Sequence, residues 1–185
     1  MESITLGGGC FWCLEAVYER IDGVRSVTSG YAGGHVPSPS YEAVCAGITG
    51  HAEVVQLDFD PAVISYANVL AIFFTIHDPT TLNRQGYDKG TQYRSAIYVH
   101  DAGQLDEAQA TIAQLTADRV FGSPIVTEVA VLEQFWPAEA HHQQYFRRHP
   151  EQAYCAAVIA PKVAKLRSQW ASRLRRSADG VGSAP

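Results

Sequence analysis

The chain has 185 residues, 46% hydrophobic and 18% charged, a balance that fits one folded domain and excludes a disordered or fibrous chain. Its formal net charge of -5 and isoelectric point near 5.8 argue against an electrostatic nucleic-acid binder. No apolar run reaches the roughly 20 residues of a membrane helix, and "MESITLGGGC" lacks the basic start and long apolar stretch of a secretory signal, so the expected compartment is the cytoplasm.

In chain order, "SITL" (Ser3 to Leu6) reads as a short strand ending at a glycine run. "FWCLEAVYERI" (Phe11 to Ile21) places Leu14, Val17, Tyr18 and Ile21 at helical spacing, and Gly23 ends it. A strand is expected over Val24 to Tyr31. "AGGHVPSPSYEAVCAG" (Ala32 to Gly47) reads as a functional loop because Gly, Pro and Ser dominate it. "HAEVVQLDFDP" (His51 to Pro61) alternates like a strand, and Ser65 is placed to cap a helix over Tyr66 to His77. After a loop, "DPTTLNRQGYDKG", come a strand over Thr91 to His100, a helix from Asp101 to about Asp118 and a strand over Ile125 to Glu133. A short helix is expected after Pro137, and Pro161 sits where a final helix would begin, with Val163, Leu166, Trp170 and Leu174 on one face. Its basic residues, Lys162 to Arg176, read as a solvated helix face. Alternating strands and helices without repeats or linkers indicate a single α/β or α+β domain over residues 1–176, with a disordered tail at 177–185.

Cysteines in a reducing compartment are more often catalytic or metal-binding than bridged, and there are four: Cys10, Cys13, Cys45 and Cys155. Cys10 follows three glycines and precedes a helix, where unpaired N–H groups and the positive helix end favour a thiolate. Phe11 and Trp12 are suited to the walls of a small apolar pocket beside it. The competing reading is a buried helix start with core aromatics. Cys45 reads as a small apolar filler.

In "AEVVQLDF", Glu53 shares a strand face with Val55, Leu57 and Phe59, the side expected to meet the core. Burial there would keep its carboxyl protonated and make it a general acid beside a thiolate. The other reading leaves Glu53 at an exposed strand end. Tyr93 shares a face with Ser95, Ile97 and Val99, so it is either a pocket phenol or a plain core tyrosine.

The segments "GGGCFW", "SGYAGG", "PSYEAVCAGITGHAEVV", "HDPTT", "RQGYDKGTQYRSAIY", "FWPAEAHHQQYF" and "YCAAVIAPK" resemble, in order from about Leu6 to Lys165, the A-type peptide methionine sulfoxide reductases. The resemblance implies an α/β two-layer sandwich on a mixed sheet with a ferredoxin-like core. It also implies reduction of the S epimer of methionine sulfoxide, free or in proteins, by a monomer that needs no cofactor beyond external thioredoxin or another dithiol. Carried to matching positions, Cys10 is the nucleophile, Phe11 and Trp12 embrace the substrate methyl, and Glu53 protonates the sulfoxide oxygen. Tyr41 and Tyr93 help to bind that oxygen, and Asp88 supports the pocket. His51 and Tyr145 fall in matching motifs without a definite role. Attack would leave Cys10 as a sulfenic acid, which a second thiol condenses into a disulfide that an external dithiol opens. Cys155 matches the family's resolving position, in a stretch expected to be flexible. Cys13 stands where many members have glycine, and its CxxC spacing keeps it as an alternative.

Two other classes compete. A thioredoxin-like oxidoreductase built on Cys10-Phe11-Trp12-Cys13 explains the CxxC but not Glu53 or "GTQYRS". A zinc module would use Cys10, Cys13, His141 and His142, but adjacent helical histidines point about 100° apart.

Overall fold

The first strand runs past Leu6 into the glycines, spanning Glu2–Gly8 (β1), because those glycines are closely covered. A Cβ on Gly7 would lie 3.3 Å from the backbone oxygens of Arg94 and Glu53, and one on Gly8 would lie 3.1 Å from the Phe73 ring. In this computed structural model, which describes residues 1–175, β1 leads into helix α1 (Phe11–Tyr18) and strand β2 (Val24–Ala32). Within the expected loop lies a five-residue helix, α2 (Tyr41–Cys45), because the Ser40 side chain accepts the Ala43 N–H and starts a turn. Strand β3 (Ala52–Phe59) and helix α3 (Tyr66–Ile76) follow, α3 capped by Ser65 as expected.

The next loop contains a tight hairpin, β4 (Arg84–Gln85) and β5 (Asp88–Lys89). The strand expected from Thr91 begins only at Ser95: β6 covers Ser95–Val99, and Thr91–Tyr93 forms a 3-10 turn after Gly90, whose φ is +142°. Tyr93 therefore does not share a strand face with Ile97. Helix α4 (Ala102–Ala117), capped by Asp101, precedes strand β7 (Glu128–Val131). The helix expected after Pro137 divides into strand β8 (Phe135–Pro137), a 3-10 turn and a short helix α5 (Tyr145–Arg148).

Cys155 lies in a π-helical turn (Cys155–Ile159) continuous with helix α6 (Ala160–Gln169), not in a free stretch between helices. It is fully buried because its side chain joins the main core. The final helix stops at Gln169, so Leu174 is not on its face; Leu174 instead bridges to Ile21, and Arg175 donates to the Ile21 carbonyl. The tail expected at residues 177–185 lies outside the described residues.

Six strands form one mixed sheet in the order β7-β6-β1-β3-β2-β8, antiparallel except for β6 beside β7. The main core lies between this sheet and α1, α3 and α6. The opposite face is not simply solvated. Ala32, Ala52, Val54, Ala96 and Tyr98 form a second buried cluster under Phe135 and Leu132, so Val54 is buried as fully as Val55. Both faces of β3 are thus covered at its start, where Glu53 sits opposite Tyr31 of β2.

Candidate active site

The site forms where β1 ends, the chain reverses and α1 begins. Gly9 adopts φ +92°, a left-handed conformation that directs the chain from the sheet into the helix. Cys10 then occupies the N-cap with no side-chain capping bond. The neighbouring strand β3 brings Glu53 beneath that helix start, where it is 1% exposed. Its Oε2 accepts the Phe11 backbone N–H at 3.1 Å, satisfying one of the helix's free donors. The exposed strand-end reading of Glu53 is therefore replaced by a buried carboxyl.

Burial raises the Glu53 pKa from the ordinary 4.5 to about 8, with the Phe11 N–H pulling the other way and Asp88 adding to the rise. The carboxyl is consequently protonated over most of the neutral range. Two phenols stand near it. Burial and then the Glu53 charge raise the Tyr93 phenol, while burial, a hydrogen bond to Cys45 and the Glu53 charge raise that of Tyr41. Both remain hydrogen-bond donors at neutral pH. Cys45, expected as filler, thus also contacts the Tyr41 phenol.

The ionised sulfur is not the one expected. Burial pushes the Cys10 thiol well up, and its Cys13 neighbour and the Glu53 charge push it further, outweighing the helix end. Cys13 moves down to about 7, mainly through a hydrogen bond from Cys10 and against its own burial, helped by Lys162 and Tyr154. Of the two sulfurs, Cys13 is the one whose anion the surroundings favour.

Aromatic rings form the wall. Phe11 is fully buried and stacks on Tyr41 with ring centroids 6.3 Å apart, and Trp12 lies flat on Tyr145 at 3.8 Å and 7°. Tyr145 in turn donates its hydroxyl to Gln152 at 2.6 Å. Asp88, from the β4–β5 hairpin, accepts the Tyr154 hydroxyl at 2.6 Å, and that same oxygen lies 3.9 Å from the Cys13 sulfur. His51 stands away from the sulfurs: Gly34 N–H donates to its Nδ1 at 3.0 Å and its Nε2 pairs with the Val36 carbonyl at 2.7 Å, tying down the 33–36 loop.

Sequence reasoning missed three residues here. Glu139 accepts the Tyr31 hydroxyl at 2.7 Å and the Tyr41 N–H at 2.8 Å, anchoring α2 over the site. His142, weighed in the sequence as a zinc ligand, is buried against Tyr41 and Trp12. Tyr154 carries the link from Asp88 to Cys13. Its position beside Cys155 was the available signal, whereas nothing in the spacing marks Glu139. Among the described residues, no three His, Cys, Asp or Glu side chains are arranged to hold a metal, so Cys10, Cys13, His141 and His142 form no zinc site. All four cysteines are free thiols.

A model of the family described as peptide methionine sulfoxide reductase matches residues 2–174. The chain belongs to the peptide methionine sulfoxide reductase family. A peptide methionine sulfoxide reductase MsrA of Ralstonia nicotianae is 59% identical over 179 residues, covering 95% of this chain and 94% of its own. Reduced Mxr1 from Saccharomyces cerevisiae superposes with a TM-score of 0.76 at 38% identity, over 83% of this chain and 88% of that one. Mxr1 in complex with Trx2 matches with a TM-score of 0.53 at 28% identity, over 78% of this chain and 84% of that one. This reductase is accordingly an oxidoreductase that reduces methionine sulfoxide. None of its described helices is long and apolar enough to cross a membrane.

Proposed function

We propose that the chain reduces the S epimer of methionine sulfoxide, free or in proteins, by transferring the sulfoxide oxygen to Cys10. The carrying observation is the buried Glu53 carboxyl, bonded to the backbone of the residue after Cys10. A sulfoxide sulfur is a poor electrophile until its oxygen is protonated. Glu53 supplies that proton while the phenols of Tyr41 and Tyr93 hold the oxygen, and the Phe11 and Trp12 rings take the methyl. Cys10 gives up its proton toward Cys13 as its sulfur attacks. Methionine leaves, and Cys10 is left as a sulfenic acid.

Epimer choice follows from three fixed directions around a pyramidal sulfur: methyl to the aromatic wall, oxygen to the acid, attack from Cys10. Exchanging methyl and oxygen would set a polar oxygen against rings and a methyl against a carboxyl. Asp88 acts at a distance, fixing Tyr154 behind the sulfurs.

A second thiol of the same chain, Cys155 or Cys13, condenses with the sulfenic acid, and an external dithiol opens the disulfide. Mxr1 has been captured with Trx2, which supports a thioredoxin in that part here. In this reading the enzyme works as a monomer in the cytoplasm and uses no prosthetic group. The deciding experiment offers each sulfoxide epimer separately with a dithiol and measures methionine. Turnover of the R epimer alone would reject the reading.

A further inference from the structure

We infer that Cys13 is the resolving thiol: the catalytic disulfide closes between Cys10 and Cys13, within the first turn of α1. The inference rests on the reductase chemistry proposed above and names the partner in its second half.

Three geometric observations carry it. The Cys13 N–H donates to the Cys10 carbonyl at 3.0 Å, so the two residues close one turn at the CxxC spacing that redox pairs use. Both cysteines line one cavity of about 640 Å³, together with Asp88, Tyr154, Val158 and Lys162. Glu53 is not among the residues lining it, so an incoming dithiol has its own approach, apart from the acid. Third, Cys10, Cys13 and Cys155 are all buried in the main core, but Cys155 does not line this cavity. Cys155 is held in the ordered π-helical turn Cys155–Ile159, whereas Cys13 lies one helical turn from Cys10 and is hydrogen-bonded to it through the side chains.

The electrostatics agree. A hydrogen bond from Cys10, with the Lys162 charge and the Tyr154 hydroxyl, brings Cys13 down to about 7 against its burial, whereas burial and then the Cys13 charge raise the Cys155 thiol. The step balances. The Cys13 thiolate attacks the Cys10 sulfenic sulfur, an S–S bond forms, and the S–O bond breaks. The departing hydroxide takes the proton that Cys13 accepted from Cys10 in the first step and leaves as water. A dithiol protein then attacks the disulfide through this cavity, is itself oxidised to a disulfide, and returns both thiols.

The test uses the full, reduced chain without reductant, mixed with excess methionine-S-sulfoxide. It is quenched at successive times with an alkylating agent and mapped by mass spectrometry. The expected result is one methionine per chain, an internal disulfide in the peptide carrying Cys10 and Cys13, and an alkylated Cys155. In the Cys13→Ala variant the first methionine is released more slowly, because the Cys10 proton has lost its acceptor, but the sulfenic acid on Cys10 then persists, is trapped by dimedone, and forms no disulfide with Cys155. Cys155→Ala keeps steady-state turnover with thioredoxin within about threefold of wild type. A disulfide between Cys10 and Cys155 with Cys13 alkylated, or an undiminished Cys13→Ala steady state, overturns the inference alone. Failure of the wild-type chain to release methionine overturns the reductase reading itself.

Discussion

Glu53 and Phe11 are 42 residues apart in the chain, yet the Phe11 N–H donates to Glu53 Oε2 at 3.1 Å. This bond ties the start of α1 to the start of β3 and sets a carboxyl against the residue that follows Cys10. Desolvation there outweighs the favourable N–H, which leaves the acid protonated near neutrality.

Glu53→Gln keeps the shape and a hydrogen-bonding group but removes the transferable proton. We expect kcat to fall by about 100-fold or more, with KM changed less than about threefold. Single-turnover methionine release checks this, and an unchanged rate would remove the acid role.

The pH profile of kcat/KM should be a narrow bell. Below about 7 the Cys10–Cys13 pair holds both protons and the nucleophile is lost. Above about 8 Glu53 loses the proton it must donate. In Glu53→Gln the alkaline limb should disappear while the acid limb stays. Retention of the alkaline limb in that variant would assign it elsewhere.

Stability should respond to the same group. Glu53 titrates near 8 when folded and near 4.5 when unfolded, so between these values the unfolded chain has released a proton that the folded chain keeps. Wild-type stability therefore falls as pH rises through that window. Glu53→Gln escapes this slope, and its stability relative to wild type should rise by roughly 4–5 kcal/mol between pH 4 and pH 9. Denaturant titrations at the two pH values measure it.

Gly9→Ala tests the turn that presents Cys10. Its φ of +92° disfavours a side chain, and the new Cβ would lie 2.7 Å from Gln85 Cγ. A loss of roughly 1–3 kcal/mol is expected, with reduced kcat/KM as the sulfur shifts from the acid. Thermal melts and kinetics together would show it.

Tyr145→Ala removes the ring stacked on Trp12 at 3.8 Å. KM should rise by about tenfold with kcat largely kept, whereas Tyr145→Phe, which preserves the stack, should resemble wild type. Equal damage from both variants would point to the Gln152 hydrogen bond instead.

Much of the architecture was legible because it depends on local pattern. Alternation marked β3, Ser65 and Asp101 marked helix starts, and the long motifs marked the family. The local signals failed where a single residue overrides periodicity. Gly90 turns the chain so that Tyr93 leaves the strand, and Ser40 starts a helix inside a stretch whose composition reads as loop. The Cys155 segment reads as a flexible stretch between helices, but packing on α1 and the core orders it as a π-helical turn.

The sequence by itself determined the reagents: a thiol at a helix start, an acid on an apolar strand face, aromatics beside the sulfur, and the order of motifs that identifies the family. Those follow from residue type and spacing, which act over a few positions. Tertiary structure decided their protonation and their partners. Desolvation depends on every atom packed around a group, so only the assembled fold could keep Glu53 neutral, move the negative charge from Cys10 to Cys13, and bury Cys155 away from the cavity the other two sulfurs share.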